Sequence, residues 1–96
     1  MTNDAADAGA EELYTMQREI RHVLWHLGDR VAGWEPGSFT SKLLSAWDSA
    51  DHWNSAALAA AFPMLGRAVG VARSGGRREL LETLERVKLQ LELARG

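Results

Sequence analysis

Residues 36–63 read PGSFTSKLLSAWDSADHWNSAALAAAFP, and the helix boundaries crowded into this stretch decide the fold. Pro36 and Gly37 break whatever precedes them, and Ser38 is a good N-cap. Phe39, Leu43, Trp47 and Ala50 then recur at helical spacing, which predicts a short helix turning one aromatic-rich side to a core. Asp48, Ser49 and Asp51 favour bonds to backbone N–H groups, so a second helix is expected to start near Asp51 with Asn54 and Ser55 in its first turn. Trp53, Ala57, Leu58, Ala61 and Phe62 are expected to carry it toward the core. Pro63 disfavours α geometry at Phe62 and suits the first position of another helix. The stretch reads as two short helices and a corner.

On the N-terminal side, Leu13, Met16, Ile20, Val23, Leu24, Leu27 and Val31 form one apolar stripe, with Glu11 and Glu12 near its start where the helix dipole favours acids. This predicts a long first helix from Ala10 that ends around Val31 to Gly33, stopped by Gly33 and Pro36. Residues 1–9 show no apolar period and are expected to be a disordered tail ahead of a single helical domain over residues 10–96. On the C-terminal side, Leu65, Ala68, Val69 and Ala72 predict a third short helix, on which Gly66 and Gly70 form a face of small residues suited to close helix approach. Ser74, Gly75 and Gly76 end it. A last helix from about Arg77 to Ala94 places Leu80, Leu84, Val87, Leu91 and Ala94 on one face, supported by Leu81, with Glu82 and Arg86 spaced as an i, i+4 pair. The expected fold class is all-α: a small bundle of four to five helices, long at both ends and short in the middle.

Composition agrees with one domain. In 96 residues, 46% hydrophobic and 25% charged content is enough for one small core and no more. The absence of cysteine excludes disulfides, thiolate metal sites and a cysteine nucleophile. The start, MTNDAADAGAEE, lacks a basic segment followed by an apolar one, and no apolar run is long enough to span a bilayer, so the expected setting is cytoplasmic and away from membranes. The net charge of −2 is unevenly placed: residues 1–60 sum to −5 and residues 61–96 to +3. Such polarity favours head-to-tail packing inside the fold, or an acidic partner for the C-terminal third.

Four groups of residues carry chemistry worth weighing. Glu19, His22, His26 and Asp29 fall on one side of the first helix, and the i, i+4 spacing of His22 and His26 can hold a divalent metal. No Glu follows the first His as in metalloproteases, and a solvated polar face has the same pattern, so no metal or other cofactor is expected. Arg67, Arg73, Arg77 and Arg78 cluster around the glycine turn, where a phosphate backbone could dock. Against that reading stand the negative net charge and the acids Glu79, Glu82 and Glu85 directly behind the arginines. Leu89 and Leu93 do not belong to the stripe of the last helix and project on its far side, which points to an intermolecular surface. Trp25, between the first apolar stripe and the polar face, and Trp34, in the linker, complete the candidate protein-binding residues. No glycine-rich cofactor loop, serine elbow or oriented nucleophile is present, so no enzymatic activity is expected.

Pro36-Gly37-Ser38-Phe39, Leu43, Ala46, Ala50-Asp51, Asn54, Leu58 and Phe62-Pro63 together resemble a motif of small uncharacterised proteins of phages, prophages and conjugative elements. Those proteins carry a P-G-x-F start, an A-D-x-x-N centre and an aromatic-Pro end. The resemblance covers the middle third of the chain, implies a bacterial or phage-infected cytoplasm, and brings no catalytic residues with it. Trp34 resembles, less closely, the W-x-G turn of ESX-type helical hairpins. Here Glu35 and Pro36 follow the tryptophan, the glycine is displaced to Gly37, and two short helices follow instead of one long one. The expected function is a non-enzymatic protein–protein interaction module acting by self-association, as a homodimer, or on another protein. The alternative is an accessory nucleic-acid-binding protein using Arg67 to Arg78.

Overall fold

The computed structural model describes residues 4–95, with side-chain surroundings from Gly9 onward. Four helices follow one another: α1 Asp4–His26, α2 Ser38–Ser49, α3 His52–Ala61 and α4 Pro63–Arg95. No strand occurs among the described residues. α4 is broken once, at Gly76, whose φ of 69° and ψ of −165° lie where only glycine is at ease, so a first arm (63–75) and a second arm (77–95) meet at an elbow. The fold is an all-α bundle with long first and last helices, as the two apolar stripes require. α1 packs chiefly against α4, and α3 also lies on α4.

The core takes residues from three helices. Ile20, Val23 and Leu24 come from α1, Leu44 and Trp47 from α2, Leu65, Ala68 and Val69 from the first arm of α4, and Leu80, Leu84, Val87 and Leu91 from the second. Between the arms, Arg73 donates to the Trp47 carbonyl (2.6 Å) and to Ser55 Oγ (3.1 Å), tying the first arm to the C-terminal end of α2 and to α3. A cation is favoured there because the last carbonyls of a helix carry partial negative charge. Arg77, one turn later, donates to Asp29 Oδ2 at 2.8 Å and ties the second arm to the loop after α1.

Several boundaries depart from the periodicity. α1 begins at Asp4, where a tail was expected, because Ala5, Ala6, Ala8 and Ala10 favour helix without needing an apolar face; residues 1–3 lie outside the described residues. It ends at His26, earlier than the stripe suggests. Gly28 (φ 100°) takes a left-handed turn, its N–H bonding the Trp25 carbonyl and the Asp29 N–H bonding the Leu24 carbonyl, which is a Schellman closure. Leu27 and Val31 therefore leave the stripe, and Val31 is 96% exposed. Gly37, not Ser38, is the cap residue of α2, and no side chain caps it. Asp51 caps α3 through Oδ1, which accepts the Asn54 N–H at 2.8 Å, and α4 starts at Pro63 as the corner requires. A Cβ on Gly66 would stand 3.0 Å from Ala59 Cβ, so this glycine does let α3 and α4 approach closely, whereas Gly70 has nothing within 4 Å. Glu82 pairs with Arg78 (3.6 Å) and Arg86 turns to Thr83, so the expected Glu82–Arg86 pair is replaced.

Candidate protein-interaction surface

α3 reads His52-Trp53-Asn54-Ser55-Ala56-Ala57-Leu58-Ala59-Ala60-Ala61 and contains no acidic residue, lysine or arginine. It nevertheless contributes no buried residue. The cause is geometric: apolar side chains stand on most sides of α3, and the side carrying Leu58 and Ala59 meets α4, so the side opposite Ala59 must face outward. Trp53, Ala57 and Ala61 occupy that side together with Asn54, and Trp53 is 82% exposed. Its indole is met edge-on by the His52 ring at 6.1 Å. The expectation that Trp53, Ala57 and Ala61 enter the core is thus corrected, while Leu58 and Phe62 are partly buried.

Phe39 is corrected in the same way. It stands about 80° round α2 from Trp47, off the Leu44–Trp47 face, and is 67% exposed. Its ring leans on that of Phe62, with centroids 5.8 Å apart and planes tilted by 59°. Phe62 holds its place because its N–H bonds the Leu58 carbonyl and its own carbonyl accepts the Gly66 N–H, both at 2.8 Å, across the corner that Pro63 enforces. The pair forms one wall of a cleft of about 340 Å³, lined also by Leu43, Ala61, Met64 and Leu65 and rimmed by Arg18 and Glu19. Arg18 Nη2 and Glu19 Oε1 are paired at 2.7 Å. Outward alanines and Trp53 leave the exposed side of α3 free of charge, and the charges at the cleft, Arg18 and Glu19, are paired with each other.

The sequence-predicted candidates divide. Leu89 (56% exposed) and Leu93 (71% exposed) lie outward on the second arm of α4, on the side away from the buried Leu84, Val87 and Leu91. Trp25 lies under the Arg30 guanidinium, 4.0 Å from its ring centre, and Arg30 also donates to the Trp25 carbonyl. Trp34 is stacked by Arg21 at 4.6 Å and its N–H bonds the Arg21 carbonyl, so both tryptophans fasten the loop after α1. Arg73 and Arg77 are engaged with Trp47 and Asp29, Arg78 pairs with Glu82, and Arg67 points to Met64 Sδ at 4.0 Å; the four do not act as one uncommitted basic face.

His22 and His26 are not drawn together with acids into a ligand set, and no group of three or more metal-binding side chains occurs among the described residues. His26 Nε2 instead meets Asp48 Oδ2 at 2.6 Å, joining the ends of α1 and α2. Asp29, placed on the polar face by periodicity, has left the helix: its Oδ1 accepts the N–H groups of Val31 (2.9 Å) and Ala32 (2.8 Å). The Ala32 N–H foremost, with Arg77 and the Val31 N–H, holds its carboxyl below the ordinary 3.8, against an opposing effect of burial. Burial pushes His22 below its ordinary 6.5, with Glu19 opposing and Arg18 adding to the shift.

Both shifts destabilise the fold in acid. A group whose pKa is depressed on folding contributes stability above its unfolded value and loses it as pH falls through the folded one. The melting temperature is therefore expected to start falling below pH 6.5 through His22, and to fall again below pH 3.8 through Asp29. Thermal melts across this range check it, with His22→Gln removing the upper step; an unchanged upper step in the variant would exclude His22 as its source.

No helix among the described residues is long and apolar enough to cross a membrane. No protein-family model matches the chain, and no curated protein or solved structure matches it.

Proposed function

We propose that the protein is a non-enzymatic protein–protein interaction module. The observation that carries this reading is the outward placement of α3, a charge-free helix that supplies no fully buried residue to the core yet exposes Trp53 near its start, with the Phe39–Phe62 cleft at its other end. A small domain gains nothing for its own stability from a bare tryptophan, and contiguous exposed apolar surface is characteristic of binding sites. Leu89 and Leu93 add a second, smaller apolar surface in support. A non-catalytic role fits the titratable groups, which hold the fold together: Asp29 with Arg77, His26 with Asp48, Glu19 with Arg18. The resemblance of residues 36–63 to mobile-element proteins supports an accessory role in the cytoplasm of a bacterial or phage-infected cell.

A photo-crosslinking residue placed at position 53 tests this in cells. One adduct of discrete mass is expected from position 53 and none from the exposed, charged position 82. No adduct at 53, or the same smear from both positions, would show that the α3 face binds nothing.

A further inference from the structure

We infer that the occupant of the α3 face is a second copy of this chain, with the two α3 helices antiparallel, Ala57 on the two-fold axis, and Trp53 of each copy entering the Phe39–Phe62 cleft of the other. The inference rests on the interaction-module reading and names its partner. Three features of the face are self-complementary.

The first is register. Trp53 and Ala61 each lie four residues from Ala57, so a two-fold through Ala57 sets the largest side chain of one α3 opposite one of the smallest on the other. Trp53 and Ala61 are about 12 Å apart along the helix, and Ala61 lines the mouth of the 340 Å³ cleft, which has room for an indole. A parallel pairing would place tryptophan against tryptophan and leave both clefts open.

The second is charge. Two copies of net charge −2 meet here along helices without charge, because residues 52–61 carry no acid, lysine or arginine, and the Arg18 and Glu19 of each cleft are already paired with each other. Asp51 stands just before α3 and Arg67 one turn into α4, both exposed. Antiparallel pairing brings acid toward base at both ends of the contact, and it also opposes the two helix dipoles.

The third is area. With Trp53 82% and Phe39 67% exposed, the two rings offer on the order of 300 Å² per copy. Doubled, and with the alanines added, this approaches the roughly 1,000 Å² total expected of a specific contact, at the low end where reversible dimers lie. Leu89 and Leu93, two aliphatic side chains on one helix, fall well short of that alone. Closure about a two-fold stops the assembly at two chains.

Analytical ultracentrifugation of the purified protein, in a concentration series reaching about 1 mM, is expected to show mass rising from one chain to two and no further. Trp53→Ser and Phe39→Ser are expected to stay monomeric throughout with unchanged circular dichroism. Ala57→Cys is a second test that needs no loss of binding: the chain has no cysteine of its own, so a residue on the axis should oxidise to a disulfide dimer much faster than a cysteine at position 82. A wild type monomeric at the highest concentration, with Ala57→Cys no faster than the control, overturns the proposal. So does a dimer that survives Trp53→Ser and dissociates in Leu89→Asp with Leu93→Asp, which would move the axis to the end of α4. A monomeric protein that still gives a discrete adduct of another mass at position 53 removes the second copy but leaves the interaction module; absence of both removes both.

Discussion

Leu80→Ala is expected to lower the folding free energy by about 2–5 kcal/mol, and to take the melting temperature down by at least about 8 °C in a domain of this size. Leu80 is fully buried, the first core residue of the second arm of α4, and it joins the cluster of Ile20, Leu24 and Leu84. Its removal leaves a void that neighbours on rigid helices fill only in part, so the lost transfer free energy and the cavity add. Domains of this class hold roughly 5–15 kcal/mol in total, which makes this one substitution a large share of the whole. Leu89→Ala is the internal comparison: the same change nine residues on, at a side chain 56% exposed, should stay within about 0.5 kcal/mol of wild type. Thermal or urea melts of the two variants check the contrast. Equal losses would mean that Leu89 is covered in solution, and equal retention that Leu80 is not enclosed.

Gly33→Ala is expected to cost about 1–3 kcal/mol by overpacking. Gly33 is buried, and a Cβ there would lie 2.5 Å from the Trp25 backbone nitrogen and 2.7 Å from Trp25 Cα. These are backbone atoms in the last turn of α1, so they cannot swing aside as a side chain would. The loop must lift instead, and it is fastened by the Asp29 carboxylate on the Val31 and Ala32 N–H groups, by Arg21 on the Ala32 carbonyl (2.9 Å) and by the Trp34 N–H. Melting temperature should fall, and the fluorescence of the variant should report a more solvated Trp34. Gly37→Ala, where nothing lies within 4 Å, is the control and should melt with wild type. A Gly33→Ala protein that also melts with wild type would show that the loop is not held against α1.

What the sequence made legible follows from which forces are local. The stripes Ile20-Val23-Leu24 and Leu80-Leu84-Val87-Leu91 are long, so their period survives any detail of packing, and the core is built on them. Asp51 and Pro63 act through their own backbone neighbours, so the start of α3 and the corner before α4 could be read residue by residue. Leu89 and Leu93 were visible as outward because the opposite face of the same helix was already accounted for. Trp53 was misplaced because α3 is short and carries apolar residues on most sides, and Phe39 because it sits at the edge of the apolar arc of α2, of which only the Leu44–Trp47 part is buried, so period alone could not say which side meets a neighbour. One signal was available: α3 lacks the charges that normally mark a solvent face, so apolar residues had to remain outside whichever side packed. Asp29–Arg77 joins residues 48 apart in sequence, and Arg73 reaches Trp47 across 26, contacts that no local pattern encodes.

The elbow at Gly76 also sets an order of assembly. Unbroken, α4 would be a rod of about 50 Å, and its second arm could not fold back onto α1. α2, α3 and the first arm are close in sequence, and closing short loops takes tens of nanoseconds to microseconds. The second arm must instead find α1 across the whole intervening chain, and the Asp29–Arg77 bond closes only once the elbow has bent to its native angle. Docking of these two helices is then expected to be the late event of folding. In native-state hydrogen exchange, amides at the junction of α1 with the second arm should open together as one cooperative unit.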